Sequence, residues 1–124
     1  MPTKKKTKKV NSSPLSFEFC GKTYQIKLSI GQYGNGGVAI GMVDVSNKEP
    51  EQFAYATVWL DYLMGEYDGK AIAFLDTNYL PGIDKFIEVN KLGRFTGFKK
   101  ESGFCQYPRF ELDMKEIRKH EFAE

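Results

Sequence analysis

The sequence predicts an α+β fold in which an antiparallel β-meander sheet carries a central helix and a short C-terminal helix packed on one face. Residues 24–30 alternate apolar with polar side chains, which is the pattern of a half-buried strand. Further along the chain, Ile83, Phe86 and Ile87 recur at the spacing of a helix. A length of 124 residues suits one domain, so we expect residues 14–124 to form it.

The first part of the chain predicts five strands in succession. Residues 16–20 and 24–30 flank a Gly-Lys turn and are expected to pair as a hairpin. The remaining strands are expected at residues 38–45, 53–60 and 71–75, with a glycine-rich connection at residues 31–37 and a polar loop at residues 47–52.

The second part of the chain predicts both helices. Pro81 suits the first position of the central helix, and Gly93 suits the left-handed residue that ends it. Asp113 followed by Glu116 resembles a capping box, so the second helix is expected over residues 114–122.

Between these helices we expect a loop and a final strand. Residues 94–106 contain two Gly-Phe pairs and are predicted to be a loop. Residues 107–112 alternate and are predicted to form a strand, which Pro108 places at a sheet edge because proline cannot donate to a ladder.

The net charge of +2 is unevenly distributed, because residues 1–13 contain five lysines and no acidic residue. Like charges without apolar periodicity predict a disordered basic arm. Its lysines are Lys4, Lys5, Lys6, Lys8 and Lys9. The arm is interpreted either as a contact for nucleic acid through phosphates or as a solubilising tail.

A second basic segment, residues 94–110, interleaves cations with aromatic residues. Its candidate phosphate contacts are Arg94, Lys99 and Lys100. Single-stranded nucleic acid is bound by such combinations of cations and stacking rings. The alternative is that the rings face the core and the cations face water, and exposed rings would argue against that alternative.

Residues 44–76 carry seven acidic and two basic side chains. Within them, Asp61, Glu66, Asp68 and Asp76 are the candidate contacts for a basic partner protein. Their spacing does not match a calcium-binding EF-hand loop, so a solvated acidic loop is the alternative.

No catalytic, metal or cofactor site is predicted. The glycines of residues 31–37 precede another strand, whereas a phosphate-binding loop needs a helix there. Cys105 is interpreted as a small core residue and His120 as a solvated surface histidine. With two cysteines, both expected to be free thiols, and neither a signal-peptide pattern nor a membrane-spanning run, we expect a cytoplasmic protein that does not bind membranes.

Several short motifs in the second half also suggest a family. They are the run Ala73-Phe74-Leu75-Asp76-Thr77-Asn78, then Pro81, Leu92-Gly93, Thr96-Gly97, Ser102-Gly103-Phe104-Cys105 and Tyr107-Pro108. Over residues 37–113 the chain resembles a domain-of-unknown-function family of small proteins encoded on conjugative elements, plasmids and phages of Gram-positive bacteria. The resemblance implies an accessory protein of a mobile element and no known activity.

Two functional hypotheses follow. The first is a non-catalytic binding protein that engages a partner protein, for example a host defence factor, through its acidic region. The second is an accessory protein that binds nucleic acid through the lysine arm and residues 94–110. Neither hypothesis requires a cofactor, and the oligomeric state stays open.

Overall fold

The structure is a computed structural model that describes residues 12–34, 36–60 and 65–122. These residues form eight strands and two short helices. The strands are β1 (Leu15–Phe19), β2 (Lys22–Gln32), β3 (Val38–Asp44), β4 (Glu51–Tyr55), β5 (Thr57–Val58), β6 (Lys70–Leu75), β7 (Gly93–Ser102) and β8 (Cys105–Asp113), and the helices are α1 (Ile83–Val89) and α2 (Met114–Arg118). None of the helices in these ranges is long and apolar enough to cross a membrane.

The predicted antiparallel α+β class is confirmed at this level, but the strands form two sheets where one was expected. Sheet A has the order β1-β2-β3-β4, and sheet B has the order β5-β6-β8-β7. The strand expected at residues 53–60 bends at Ala56, whose N–H donates to the Ile40 carbonyl at 2.8 Å and whose carbonyl accepts from the Asp76 N–H at 2.9 Å. Ala56 therefore bonds to β3 of sheet A and to the residue that follows β6 of sheet B, and this bend joins the two sheets.

The core lies between the sheets, and α1 contributes to it. The Phe86 ring of α1 meets Phe17 of sheet A edge-on at 5.2 Å between centroids. On the same helix, Ile87 lies next to Gly93 at the start of β7. One cluster of buried apolar side chains thus includes residues from both sheets and both helices. Burial of these faces stabilises the fold by roughly 25 cal/mol per Å² of apolar surface.

The ends of α1 differ from the sequence prediction. The N-cap is Gly82, with φ of 92°, so Pro81 lies one residue before the cap and not inside the helix. After the helix, Lys91 adopts the left-handed conformation with φ of 59°. Gly93 begins β7 instead, where a Cβ atom would lie 2.7 Å from the Glu111 carbonyl oxygen. Gly93 is therefore required by close strand pairing and not by a helix stop.

The expected loop at residues 94–106 is wrong, because most of it forms β7. This strand pairs with β8, and β8 also pairs with β6, so β8 is central and not at an edge. Pro108 fits in this central strand because it has no partner on β6. The last β6–β8 pair is Phe74 with Arg109, and Pro108 is the next residue of β8 beyond that pair. The missing N–H of proline then leaves no gap in the described β6–β8 ladder.

The second helix is shorter than predicted, since α2 ends at Arg118. The following residues bond to β2: the Leu28 N–H donates to the His120 carbonyl at 2.9 Å, and the Phe122 N–H donates to the Leu28 carbonyl at 2.7 Å. The interpretation of His120 as a solvated side chain is also wrong. Its Nδ1 lies 2.8 Å from the Ser13 carbonyl, and its side chain is 14% exposed. Because a carbonyl can only accept, Nδ1 carries the proton and ties the N-terminal residues to this segment.

The predicted cap of α2 is confirmed and supplies a test. The Asp113 carboxylate accepts from the N–H groups of Lys115 and Glu116, each at 3.1 Å. Replacement of Asp113 by alanine is expected to lower the free energy of unfolding by about 1 kcal/mol, measured by chemical denaturation. The control is Asp113→Asn, which keeps an acceptor and should lose less. Equal losses in the two variants would contradict the capping role.

Candidate binding surfaces

β7 and β8 form a hairpin that carries an exposed aromatic ring at its tip. Ser102 pairs with Cys105, which leaves a two-residue loop of Gly103 and Phe104. Gly103 adopts a positive φ of 63°, a conformation that glycine tolerates. The Phe104 side chain projects from this loop and is fully exposed, with a relative exposure of 109%. The Phe104 ring therefore has no cover from the described residues.

A bulge in the same hairpin exposes a second ring. Three β7 residues, 96–98, lie opposite the single residue Arg109, and Gly97 has a φ of 96°. Arg109 Nε donates to Thr96 Oγ1 at 3.0 Å. Its guanidinium also lies over the Phe98 ring at 4.8 Å from the centroid, a cation–π geometry. The bulge thus places a cation and a ring, 45% exposed, side by side.

We call the resulting surface the hairpin face, formed by Phe98, Lys100, Phe104, Tyr107 and Arg109. Strand alternation places Lys100 opposite Tyr107 and next to the Phe98–Arg109 pair. The interpretation in which the rings of this segment face the core holds for Phe110, which is buried, and is wrong for Phe98 and Phe104. Exposure of these rings favours the binding interpretation of residues 94–110.

The other candidate phosphate contacts do not all lie on this face. Arg94 Nε pairs with Glu111 Oε1 at 2.9 Å, so its charge is partly neutralised. Lys99 lies opposite Pro108, on the reverse side of the strand from Lys100. The five lysines of the arm lie outside the described residues, and their role stays a prediction.

Cys105 is a half-buried free thiol beside Tyr107, at the margin of the hairpin face and not in the core cluster. A hydrogen bond with the Cys105 thiol raises the pKa of the Tyr107 phenol, and partial desolvation adds to this. The phenol therefore stays neutral at physiological pH and can donate a hydrogen bond. In the described ranges, no group of three or more histidine, cysteine and acidic side chains is placed to hold a metal ion.

Three of the four acidic candidates have structural roles within the described residues. Glu66 accepts two hydrogen bonds from Arg118 of α2, one of them from Nη1 at 2.9 Å. Asp68, with φ of 56°, precedes a glycine in the two-residue turn of a small hairpin. The Asp76 carboxylate accepts from the Tyr79 N–H at 3.1 Å. Asp61 lies outside the described residues, so contact with a partner through these acids stays a prediction.

The Glu66–Arg118 pair predicts a dependence of stability on pH. The hydrogen bonds from Arg118 lower the pKa of the Glu66 carboxyl below its ordinary value. Because the pKa of Glu66 is lower in the folded state, the ion pair stabilises the fold fully at pH values above the ordinary carboxyl pKa. This stabilisation is lost as the pH falls through the lowered pKa of the folded state. We therefore expect Glu66→Gln to reduce the melting temperature at neutral pH and to have no effect at strongly acidic pH. An equal reduction at both pH values would contradict this assignment.

A second surface, which the sequence analysis did not identify, lies where β2, β3 and β4 of sheet A meet residues 57–59, which include β5 of sheet B. We call it the aromatic groove, formed by Gly31, Tyr33, Ala39, Tyr55 and Trp59. The Tyr33 and Trp59 rings stack with centroids 5.4 Å apart and an angle of 16° between their planes. The cavity volume is about 570 Å³, within the ~300–1,000 Å³ range of ligand-binding clefts. The aromatic residues at positions 55 and 59 could have indicated an aromatic surface. No local pattern indicated on which side of the bent strand they lie.

These observations define a small α+β protein with aromatic rings displayed on two separate surfaces. A family model described as "Domain of unknown function (DUF4313)" matches residues 27–124, and the chain belongs to that family. The match confirms the resemblance to a domain of unknown function and extends it on both sides of residues 37–113. The lysine arm and β1 lie outside the matched region. Comparison with curated proteins and with solved structures gave no match for the chain.

Proposed function

We propose that the protein is a non-catalytic binding protein of a phage or another mobile element, that it acts in the host cytoplasm, and that it binds single-stranded nucleic acid. The mobile-element origin is supported only by the resemblance of the motifs between residues 73 and 108. The nucleic-acid ligand is supported by the hairpin face, where Phe98 is exposed beside Arg109, Lys100 lies opposite Tyr107, and Phe104 is exposed at the hairpin tip.

The chemistry of the hairpin face suits a single strand better than a duplex. Unpaired bases offer ring faces that stack on aromatic side chains, with about 1–3 kcal/mol per base. Phe104 at a loop tip can meet such a base without displacing a contact with the described residues, because its side chain is fully exposed there. Lys100 and Arg109 supply positive charge for the adjacent phosphates, and the lysine arm adds charge that does not distinguish between bases.

The test is the anisotropy of a labelled oligothymidine titrated with the full chain between about 50 and 200 mM salt. Affinity is expected to fall steeply with salt. The variant Lys100→Gln should reduce the slope of log K against log salt by about 0.7, the value for one phosphate contact on a single strand. Lys48→Gln, an exposed lysine in the acidic region, is the matched control and should leave the slope unchanged. Absence of binding at the lowest salt would overturn the proposal.

Deletion of residues 1–11 separates the arm from the hairpin face. If the arm contacts phosphates, its removal lowers the salt slope further, while the contribution of Phe98 and Phe104 is retained. An unchanged slope would restrict the nucleic-acid surface to the hairpin.

The second candidate is a protein partner, such as a host defence factor, bound through the acidic region. Two tyrosines adjoin its acids: Tyr67, next to Asp68, is 74% exposed, and Tyr79, near Asp76, is 62% exposed. Tyrosine is enriched at protein interfaces, so exposed rings beside carboxylates favour a basic protein surface as the partner. Recovery of one stoichiometric protein from lysate by the full chain, and its loss with Tyr67→Ala, would support this candidate over nucleic acid.

A further inference from the structure

The aromatic groove is separate from the hairpin face and differs from it in chemistry. We propose that this groove binds a proline-rich segment of a partner protein in the polyproline II conformation, with a basic residue flanking the prolines. The proposal does not depend on nucleic-acid binding, because the residues that line the groove do not include any of the β7–β8 hairpin.

The floor of the groove is open because small residues face each other across two strands. Gly31 of β2 pairs with Ala39 of β3. A Cβ atom added at Gly31 would find its nearest neighbour, the Ala39 carbonyl oxygen, at 3.9 Å, which is ordinary contact. The described residues therefore leave the space above Gly31 unfilled.

The walls are aromatic, and contacts within the protein fix Tyr33 and stack Trp59 on it. The Tyr33 hydroxyl hydrogen-bonds with Thr57 Oγ1 at 2.9 Å, and Thr57 Oγ1 also accepts from the Ile40 N–H at 3.1 Å. Trp59 stacks on Tyr33 yet remains 55% exposed, and Tyr55 is 51% exposed. Rigid exposed rings reduce the conformational entropy lost on binding, which favours affinity.

The lining selects against charged ligands. Among the described residues that line the groove, none carries a formal charge, and its side-chain hydrogen-bond donors are hydroxyls, the Gln32 amide and the Trp59 indole. A proline-rich segment has exposed carbonyl acceptors, few N–H donors and a preformed extended shape, and such segments dock in aromatic-lined grooves. Phosphate groups would find no cation among these lining residues.

Charge complementarity at one end of the groove indicates the basic flank. The Asp76 N–H bonds to the Ala56 carbonyl, and Asp76 follows Leu75, which pairs with Thr57, the hydrogen-bond partner of the Tyr33 hydroxyl. These contacts place the Asp76 backbone near the Tyr33 end of the groove. Burial raises the pKa of the Tyr33 phenol, and the negative charge of Asp76 contributes in the same direction. A lysine or arginine next to the prolines would be attracted to this carboxylate.

The experiment uses Trp59 fluorescence, since the chain contains one tryptophan. The probes are an oligoproline peptide with arginine at both ends and the same peptide with glutamine at both ends. Both are expected to change the Trp59 emission, with tighter binding of the arginine peptide. Asp76→Asn keeps an acceptor for the Tyr79 N–H. This variant should weaken the binding of the arginine peptide by about three- to fivefold and leave the binding of the glutamine peptide unchanged.

Two variants test occupancy of the groove itself. Gly31→Leu fills the floor of the groove and should therefore weaken the binding of both peptides. Lys27→Leu is the matched control, since Lys27→Leu places the same side chain on the same face of β2 but outside the groove. Tyr55→Ala removes a wall and should weaken both peptides at least about fivefold, which keeps the test informative if Gly31→Leu fails to fold. An unchanged Trp59 emission with both peptides, or equal binding by the wild type and Tyr55→Ala, would overturn the proposal. A Trp59 response to oligothymidine but not to the peptides would also overturn it.

Discussion

Loss of both exposed rings of the hairpin, in the variant Phe98→Ala with Phe104→Ala, is expected to weaken oligothymidine binding by roughly 30-fold or more. Each base–ring stack contributes about 1–3 kcal/mol, so two stacks contribute at least ~2 kcal/mol. Tenfold in affinity corresponds to ~1.4 kcal/mol. The measurement is the dissociation constant at one fixed low salt concentration.

Controls separate stacking from folding in this variant. Phe98 also contacts Arg109 and lies 6.5 Å from Phe74 between ring centroids, so its removal alters the local surface. Phe104 has no such ring contact among the described residues, and Phe104→Ala alone should weaken binding about fivefold or more without changing the melting temperature. Tyr67→Ala removes an exposed ring elsewhere and should have no effect. Unchanged affinity in the double variant would exclude the hairpin face as the nucleic-acid surface.

Replacement of Phe110 by alanine is expected to lower the free energy of unfolding by about 3–5 kcal/mol. Phe110 is 1% exposed on the central strand β8, opposite Ala73 of β6 and Phe95 of β7. Its ring also contacts Phe95, with centroids 5.8 Å apart. A cavity at this position removes contacts from both neighbouring strands, in a domain whose stability is of the order of 5–15 kcal/mol.

Phe95→Ala is the matched control, because the Phe95 ring belongs to the same pair but is 38% exposed. Loss of the Phe95 ring leaves a less enclosed cavity than loss of the Phe110 ring. The expected reduction in the free energy of unfolding is therefore about half of that expected for Phe110→Ala. Urea denaturation of both variants provides the comparison. A larger loss of unfolding free energy for Phe95→Ala than for Phe110→Ala would show that the buried Phe110 ring of β8 is not the main apolar contact of this pair.

The strands were predictable wherever one face of a strand is buried over its whole length. The alternation in residues 24–30 predicted β2, and the expected hairpin with residues 16–20 is confirmed by the pairing of Phe17 with Tyr24. β7 was missed because its alternation is broken by the bulge at residues 96–98 and its side chains are mostly exposed. A strand that buries little apolar surface shows little alternation of apolar and polar residues, so its sequence does not predict a strand.

The acidic candidates show the limit of grouping residues by sequence distance. Glu66, Asp68 and Asp76 are near each other in the chain, but their roles differ: the Glu66 carboxylate forms an ion pair, the Asp68 backbone forms part of a turn, and the Asp76 carboxylate accepts from a nearby backbone N–H. The partner of Glu66 is Arg118, 52 residues away. No local pattern predicts such a pair, since it depends on α2 packing beside the turn that contains Glu66.

By itself, the sequence determined the antiparallel α+β class, the early strands, the existence of α1, the cap at Asp113 and the family. Only the tertiary structure decided that the sheet divides at Ala56, that β8 is central and that Phe104 and Trp59 remain exposed. Local periodicity specifies which side of a strand is apolar. Whether another strand then covers that side depends on hydrogen bonds and packing between residues distant in the chain, and these form only when the whole chain has folded.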